Sequence, residues 1–290
     1  MLEALRNQTL PLEQWELLLV DNASKEPLTT KSWDISWHPH GRLIREETLG
    51  LSWARLRGVR EVSSDLLVFV DDDNILEPNY LFEAIRVKRE WPQLGVWGSG
   101  ATFPEFEIEP ADNLREFIGM LALRVVDSPK WSNVFQCDRS RPFGAGLCVR
   151  MSVAIAYREY FEQSAIKVND RHGRALSSSG DMEICYVACK IGLGVGIFPE
   201  LKLTHLIPKE RVTADYLVKL TEGIETSRDL LAHKWESHVL TSHFSGPLGF
   251  LRVFKNLVLL KGIQRRMYLA RLRSRSRARA IVLKHAAGNV

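Results

Sequence analysis

Asp71, Asp72 and Asp73 follow directly on the apolar run LLVFV. Three adjacent carboxylates repel one another, and a turn that holds them together after a buried strand calls for a cation. Hard oxygen donors with open positions suit Mg²⁺ or Mn²⁺ bridging to phosphate oxygens. A second carboxylate, Asp21, ends another apolar run, QWELLLV. Asp181 and Glu183 open a helical stretch, where the positive end of the helix keeps a carboxylate ionised; spacing alone fits a helix cap as well as a general base. His205 sits in an extended segment before Leu206-Ile207-Pro208 and is a candidate metal or phosphate ligand. No G-x-x-x-x-G-K-S/T sequence occurs, so nothing supports a P-loop nucleotidase. The glycines of Gly192-Leu193-Gly194-Val195-Gly196 precede a strand and read as a helix end and turn, not as a dinucleotide fingerprint.

The elements that must position these groups alternate. Gln14 to Val20 and Leu66 to Val70 read as strands buried on both faces, each ending in carboxylates. A short strand is expected at Asp34 to Trp37, and others at Gly95 to Ser99, Leu147 to Arg150, Val195 to Phe198 and Leu201 to Leu206. Helices are expected over the first eight residues, Leu51 to Val62, Pro78 to Glu90, Asn113 to Val126, Val153 to Glu162, Ser177 to Ile191 and Asp215 to Lys234. Strand, acidic turn and helix in alternation give an α/β sandwich with a mostly parallel central sheet. In such sheets ligands collect beyond the carboxyl ends of the strands, where Asp21 and Asp71 to Asp73 stand.

Of 290 residues, 45% are apolar and 26% charged, which fits a globular chain and excludes wholesale disorder. No apolar run is long enough to cross a bilayer, and the start carries no basic segment before an apolar stretch. The four cysteines form no C-x-x-C pair and read as reduced, mostly buried thiols of a cytoplasmic protein. The net charge of +4 hides an asymmetry: residues 237 to 290 carry eleven Lys and Arg and no acid, leaving −7 for residues 1 to 236. We therefore read residues 1 to 236 as the catalytic domain and 237 to 290 as a basic, helical extension, with Leu251, Phe254 and Val258 on one face.

The segments WELLLVDNAS, LGLSWARLRGV, LLVFVDDDNILEPNYL, PFGAGLCVR, SGDMEICYVACKIGLG and FPELKLTHLIPKER occur in an order that resembles a family 2 glycosyltransferase of GT-A fold, over roughly residues 1 to 211. The resemblance implies a nucleotide-sugar donor. It places Asp21 at the base, Arg55 near the nucleotide and Asp71 near the ribose, with Asp72 beside them. Asp73 would hold Mg²⁺ or Mn²⁺ on the diphosphate, with Asp71 and His205 close to the metal. Phe143, Gly144, Ala145 and Gly146 would line the sugar and acceptor site. Asp181 would be the base of an inverting transfer to a hydroxyl of a glycan or lipid-linked acceptor.

Two departures accompany the resemblance. Gly180 stands where the family has a Glu before the catalytic Asp. The chain also begins in the helix after the family's opening strand, so the central sheet is expected to lack that strand and the donor pocket one wall. The resemblance further implies cell-surface polysaccharide or glycolipid synthesis, with the basic stretch Lys261 to Arg279 on an anionic membrane face. RNA ranks second as its partner. The competing functions are a non-catalytic nucleotide- or glycan-binding protein and a metal-dependent nucleotidyltransferase.

Overall fold

Short apolar runs bounded by polar turns do become strands here, although Leu17–Asn22 and Leu66–Phe69 are mostly half-buried rather than buried on both faces, while most long amphipathic stretches become helices. The computed structural model describes residues 1–29, 31, 33–134, 138–164, 180–236, 240 and 246–287. The chain opens with α1 (Leu2–Arg6), β1 (Leu17–Asn22), β2 (Gly41–Glu46), α2 (Leu51–Glu61), β3 (Leu66–Phe69), β4 (Asn74–Leu76) and α3 (Tyr80–Glu90). A long strand, β5 (Leu94–Phe106), leads to a 3₁₀ segment, Asp112–Leu121, and to the short β6 (Arg124–Val125) and β7 (Lys130–Ser132). Then come β8 (Leu147–Arg150), α4 (Met151–Gln163), α5 (Gly180–Lys190) and β9 (Gly194–Ile207). Three helices close the order: α6 (Ala214–Glu236), α7 (Gly246–Leu259) and α8 (Gly262–Ala287).

Two compact units divide the chain. The first holds residues 1–105, 121–163 and 180–207, and the second holds 106–120, 164–179 and 208–290. The sheets lie in the first unit. Strands β3, β8, β5, β9 and β4 neighbour one another in that order, with β6 on β5 and β7 on β9. The expected mostly parallel sheet is corrected here. Strand β8 runs antiparallel to both β3 and β5, and β4 and β7 run antiparallel to β9. An apolar run reports burial on two faces and carries no information on strand direction.

The parallel pairing is β1 with β2, which forms a separate two-stranded sheet from Leu17↔Gly41 to Asn22↔Glu46. Among the described residues, β1 and β3 each pair on one side only. Leu17, Leu19, Leu66 and Val68 nonetheless share one apolar cluster with Tyr80, Trp97 and Phe198. The single central sheet is thus present as two sheets over a common core. The strand expected at Asp34 to Trp37 is absent, and β2 follows it instead. The sequence GRLIRE carries too many charges to read as a buried strand, and its burial is intermediate throughout most of its length. Val195 to Phe198 and Leu201 to Leu206 form one continuous β9. The helix expected at Asn113 to Val126 is a 3₁₀ segment that stops at Leu121 before β6. At the end of α5, Gly192 takes φ +85° while Leu193 N–H donates to the Ala188 carbonyl, which confirms the helix-end reading of that glycine run.

In the second unit, α6 packs on α8. Helix α8 buries Met267, Ala270, Ser274 and Ala278, spaced three to four residues apart on one face. Thr221 donates to the Met267 sulfur at 3.1 Å, and small residues along the seam permit close approach of the helices. Helix α6, which charge alone places with residues 1 to 236, therefore packs with the basic extension, because its buried Leu217, Leu220, Thr221 and Leu231 form a matching stripe. No helix of the described residues is long and apolar enough to cross a membrane. Cys148 and Cys185 are buried free thiols and Cys189 is half-buried, whereas Cys137 lies outside the described residues.

Candidate active site

Antiparallel pairing assembles the site. Because Phe69 pairs with Leu147, the carboxyl end of β3 lies beside the amino end of β8. That brings the turn at Asp71 to Asp73 to the small-residue loop Phe143 to Gly146; a parallel β8 would put them at opposite ends of the sheet. A second register does the same for His205. Strand β4 pairs Asn74 with His205, and Leu206 N–H donates to the Asp73 carbonyl at 2.9 Å.

Two backbone N–H groups orient Asp181. Its Oδ2 accepts from Gly144 N–H at 2.9 Å and its Oδ1 from Met182 N–H at 2.8 Å. A Cβ at Gly144 would stand 2.7 Å from Arg55 Nη2 and 3.6 Å from Asp181 Oδ2, so the missing side chain is what lets Arg55 and Asp181 share this corner. Arg55 is buried, its Nη2 3.9 Å from Asp71 Oδ1 and its guanidinium 5.6 Å from the Phe69 ring centroid. Arg55, Asp71, Gly144 and Asp181 are therefore one cluster. Ala145 is buried behind it, and Gly146 takes φ +67° with its carbonyl accepting from the buried Tyr80 hydroxyl at 2.6 Å.

One turn along, His205 Nε2 lies 3.4 Å from Asp73 Oδ2. His205 Nδ1 lies 2.9 Å from the Leu121 carbonyl. A carbonyl only accepts, so Nδ1 carries the proton and Nε2 turns toward Asp73. In the neutral ring that puts a lone pair against a carboxylate, an arrangement completed by a proton or a cation. Backbone orientation of the distal nitrogen is also how metal-binding histidines are held. The residues present thus fit a divalent cation held by Asp73 and His205. Asp71 Oδ1 lies 3.9 Å from Arg55 Nη2, and among the described residues no three His, Cys, Asp or Glu side chains converge on one point. Asp72 is exposed, and Asn74 donates to Asp73 Oδ1 at 3.0 Å.

Asp21 stands at the end of β1, as expected, but its oxygens serve the chain itself. Oδ1 accepts from Ser24 N–H at 3.1 Å; Oδ2 accepts from Leu28 N–H at 3.2 Å and from Arg45, its cross-strand partner, at 2.5 Å. Burial pushes the carboxyl pKa up, yet the bonds from Ser24, Leu28 and Arg45 outweigh it and hold it at about 2. A contact from Asp21 to a base requires the Arg45 bond to open.

Sequence reasoning missed three groups here. Arg45 lies on the unrecognised β2. Arg124 stacks 3.9 Å over the Phe143 ring and donates to the Arg141 carbonyl, held there by the short β6. Tyr80 buttresses Gly146 from α3.

Residues 1–135 match the family described as glycosyl transferase family 2. That span holds Asp21, Arg55 and Asp71 to Asp73, and it stops short of Gly144, Asp181 and His205. No curated protein sequence matches the chain. Among solved structures, S. aureus TarS 1–349 in complex with UDP aligns at 12% identity and TM-score 0.50, covering 96% of this chain and 75% of that one. A further structure of S. aureus TarS 1–349 aligns at 13% identity and TM-score 0.48 over the same shares. Its complex with UDP-GlcNAc aligns at 12% and 0.48, covering 93% and 74%. At such identity the likeness shows the fold alone.

Proposed function

We propose, from the premise that residues 1–135 are those of a family 2 glycosyltransferase, that this chain moves a sugar from a nucleotide-sugar donor to an acceptor hydroxyl with inversion at the anomeric carbon. The observation that carries the reading is the junction of Arg55, Asp71, Gly144 and Asp181, one turn from Asp73 and His205, where β3 and β8 meet.

Asp181 takes the proton from the acceptor hydroxyl. One of its oxygens accepts from the Gly144 N–H and the other from the Met182 N–H, which orients the carboxylate. The acceptor oxygen attacks the anomeric carbon as the bond to the nucleoside diphosphate breaks on the opposite face. Arg55, buried beside Asp71, contributes fixed positive charge near the donor. A divalent cation, Mg²⁺ or Mn²⁺, supplies Lewis-acid stabilisation of the leaving diphosphate. Asp73 and His205 would hold it. The turn at Asp21 shapes the base end of the donor site.

UDP-sugars are the first donors to test, since the TarS fragment of like fold was crystallised with UDP. The reading extends to a cell-surface glycan or lipid-linked acceptor, and to a cytoplasmic protein attached peripherally to an anionic membrane face through its basic extension. The divided sheet favours one alternative, a non-catalytic nucleotide- or glycan-binding descendant. Mn²⁺-dependent binding of a panel of nucleoside diphosphates and their sugars, followed by transfer assays, separates the two. Transfer supports the enzyme. Binding with no transfer to any acceptor supports the descendant, and no binding overturns the enzyme and leaves the glycan-binding descendant.

A further inference from the structure

We infer that the outward apolar face of α7 is a surface that inserts into an anionic lipid bilayer. This deepens the membrane part of the proposed function by moving the contact from the arginine-rich α8 to the helix before it.

Leu251, Phe254 and Val258 recur at helical spacing and are 60%, 60% and 61% exposed; Phe250 and Leu259 beside them are 59% and 63% exposed. Val253, about 100° to 160° around the helix from those three positions, is 3% exposed, so the helix is seated by its other side. The face expected to be the apolar side of an amphipathic helix is thus turned away from the unit that carries it. Fourteen residues give a rod about 21 Å long, too short to span the hydrocarbon but suited to lying in the interface.

Charge chooses the occupant. Arg252 and Lys255 border the stripe, and Lys261 and Arg265 follow at the start of α8. Among the described residues none of these four is in an ion pair, and residues 237 to 290 contain no Asp or Glu at all. Long cationic side chains at the rim of an apolar strip snorkel to lipid phosphates while their stems stay with the acyl chains. Helix α8 differs: Arg266 pairs with Asp215, Arg271 with Glu225, and Arg273 and Arg277 with Glu222. Much of its charge is already answered by α6. A nucleic acid has no use for the apolar stripe. A second copy joined through the same face would line up Arg252 and Lys255 from both chains with no carboxylate of the extension between them.

The test uses the whole chain and sedimentation with vesicles of phosphatidylcholine alone or mixed equally with phosphatidylglycerol, at low and high salt. The chain should pellet with the anionic vesicles, more at low salt. The triple variant Leu251→Ser, Phe254→Ser, Val258→Ser should lower partitioning by about tenfold or more, because each lost side chain removes apolar burial in the interface. Arg252→Ala with Lys255→Ala should lower it several-fold and flatten the salt dependence. A Phe254→Trp chain should show tryptophan quenching by brominated acyl chains, which surface adsorption by charge alone would not give. Nucleotide binding, followed in parallel, should be unchanged in every variant and reports that the fold is intact. Failure of the parent chain to pellet with anionic vesicles overturns this inference together with the membrane part of the proposed function. Parent binding that the triple variant retains overturns this inference alone. Lipid-free self-association abolished by the triple variant assigns the face to a second copy and overturns it as well.

Discussion

Around Asp181 and His205 backbone atoms orient the charged groups, alongside side-chain pairs such as Arg55 with Asp71, whereas along α6 and α8 the charged side chains hold one another. Gly144 and Met182 N–H orient Asp181, the Leu121 carbonyl orients His205, and the 21–28 turn orients Asp21. The ion pairs of the second unit join long, exposed Arg side chains to half-buried Glu, such as Arg273 with Glu222 and Arg271 with Glu225. A group aimed by the main chain is pre-organised, so its loss is felt in function. A group aimed by another flexible side chain pays entropy for its partner and contributes little.

The largest effect is expected at Asp181. Asp181→Asn should reduce transfer by about a thousandfold while leaving donor binding intact, read from steady-state rates beside nucleotide titrations. A variant transferring at the parent rate breaks the contrast at its strongest point. Next comes the loop behind it. Gly146→Ala places a residue at φ +67° with its Cβ 2.3 Å from the Tyr80 hydroxyl, and thermal or denaturant unfolding should show a loss of about 2–4 kcal/mol. His205→Ala should weaken Mn²⁺-dependent nucleotide binding by about 10- to 100-fold with metal-free binding unchanged; equal loss in both would remove the cation from this pair.

Asp21 gives a smaller, pH-dependent effect. Its folded pKa of about 2 lies below the ordinary carboxylate value of 3.8, so its stabilisation is whole above that value and drains away as pH falls from 3.8 through 2. Asp21→Asn should cost about 2 kcal/mol at neutral pH and flatten acid unfolding in that window. The smallest effect belongs to the second unit: Arg273→Ala should change stability by less than about 1 kcal/mol, and less still at high salt. A larger loss would show that the helix-to-helix pairs are organised as the site's charges are.

Much of the site was legible for a local reason. Asp71 to Asp73 stand out because an apolar run needs explaining when it stops in three like charges. Gly192 was read correctly because helix ends have their own backbone rule. Asp181 needed the family order, since spacing alone leaves a helix-opening carboxylate and a capping one alike. Arg45 was hidden because β2, half-covered and rich in charge, has the composition of a loop. Its bond to Asp21 is a cross-strand contact that no local pattern records. The placement of Asp71 beside Arg55 depends on side-chain directions at a single turn.

By itself the sequence determined the α/β character, the order of most strands and helices, the carboxylates at strand ends and the charge split at Glu236. Each of these follows from neighbouring residues and their periodicity. Only the tertiary structure decided that β8 runs antiparallel between β3 and β5, that β1 and β2 stand apart, that α6 packs with α8, and that the apolar face of α7 looks outward. Those outcomes turn on which surfaces meet across long stretches of chain, where many pairings satisfy the same local pattern and packing selects among them.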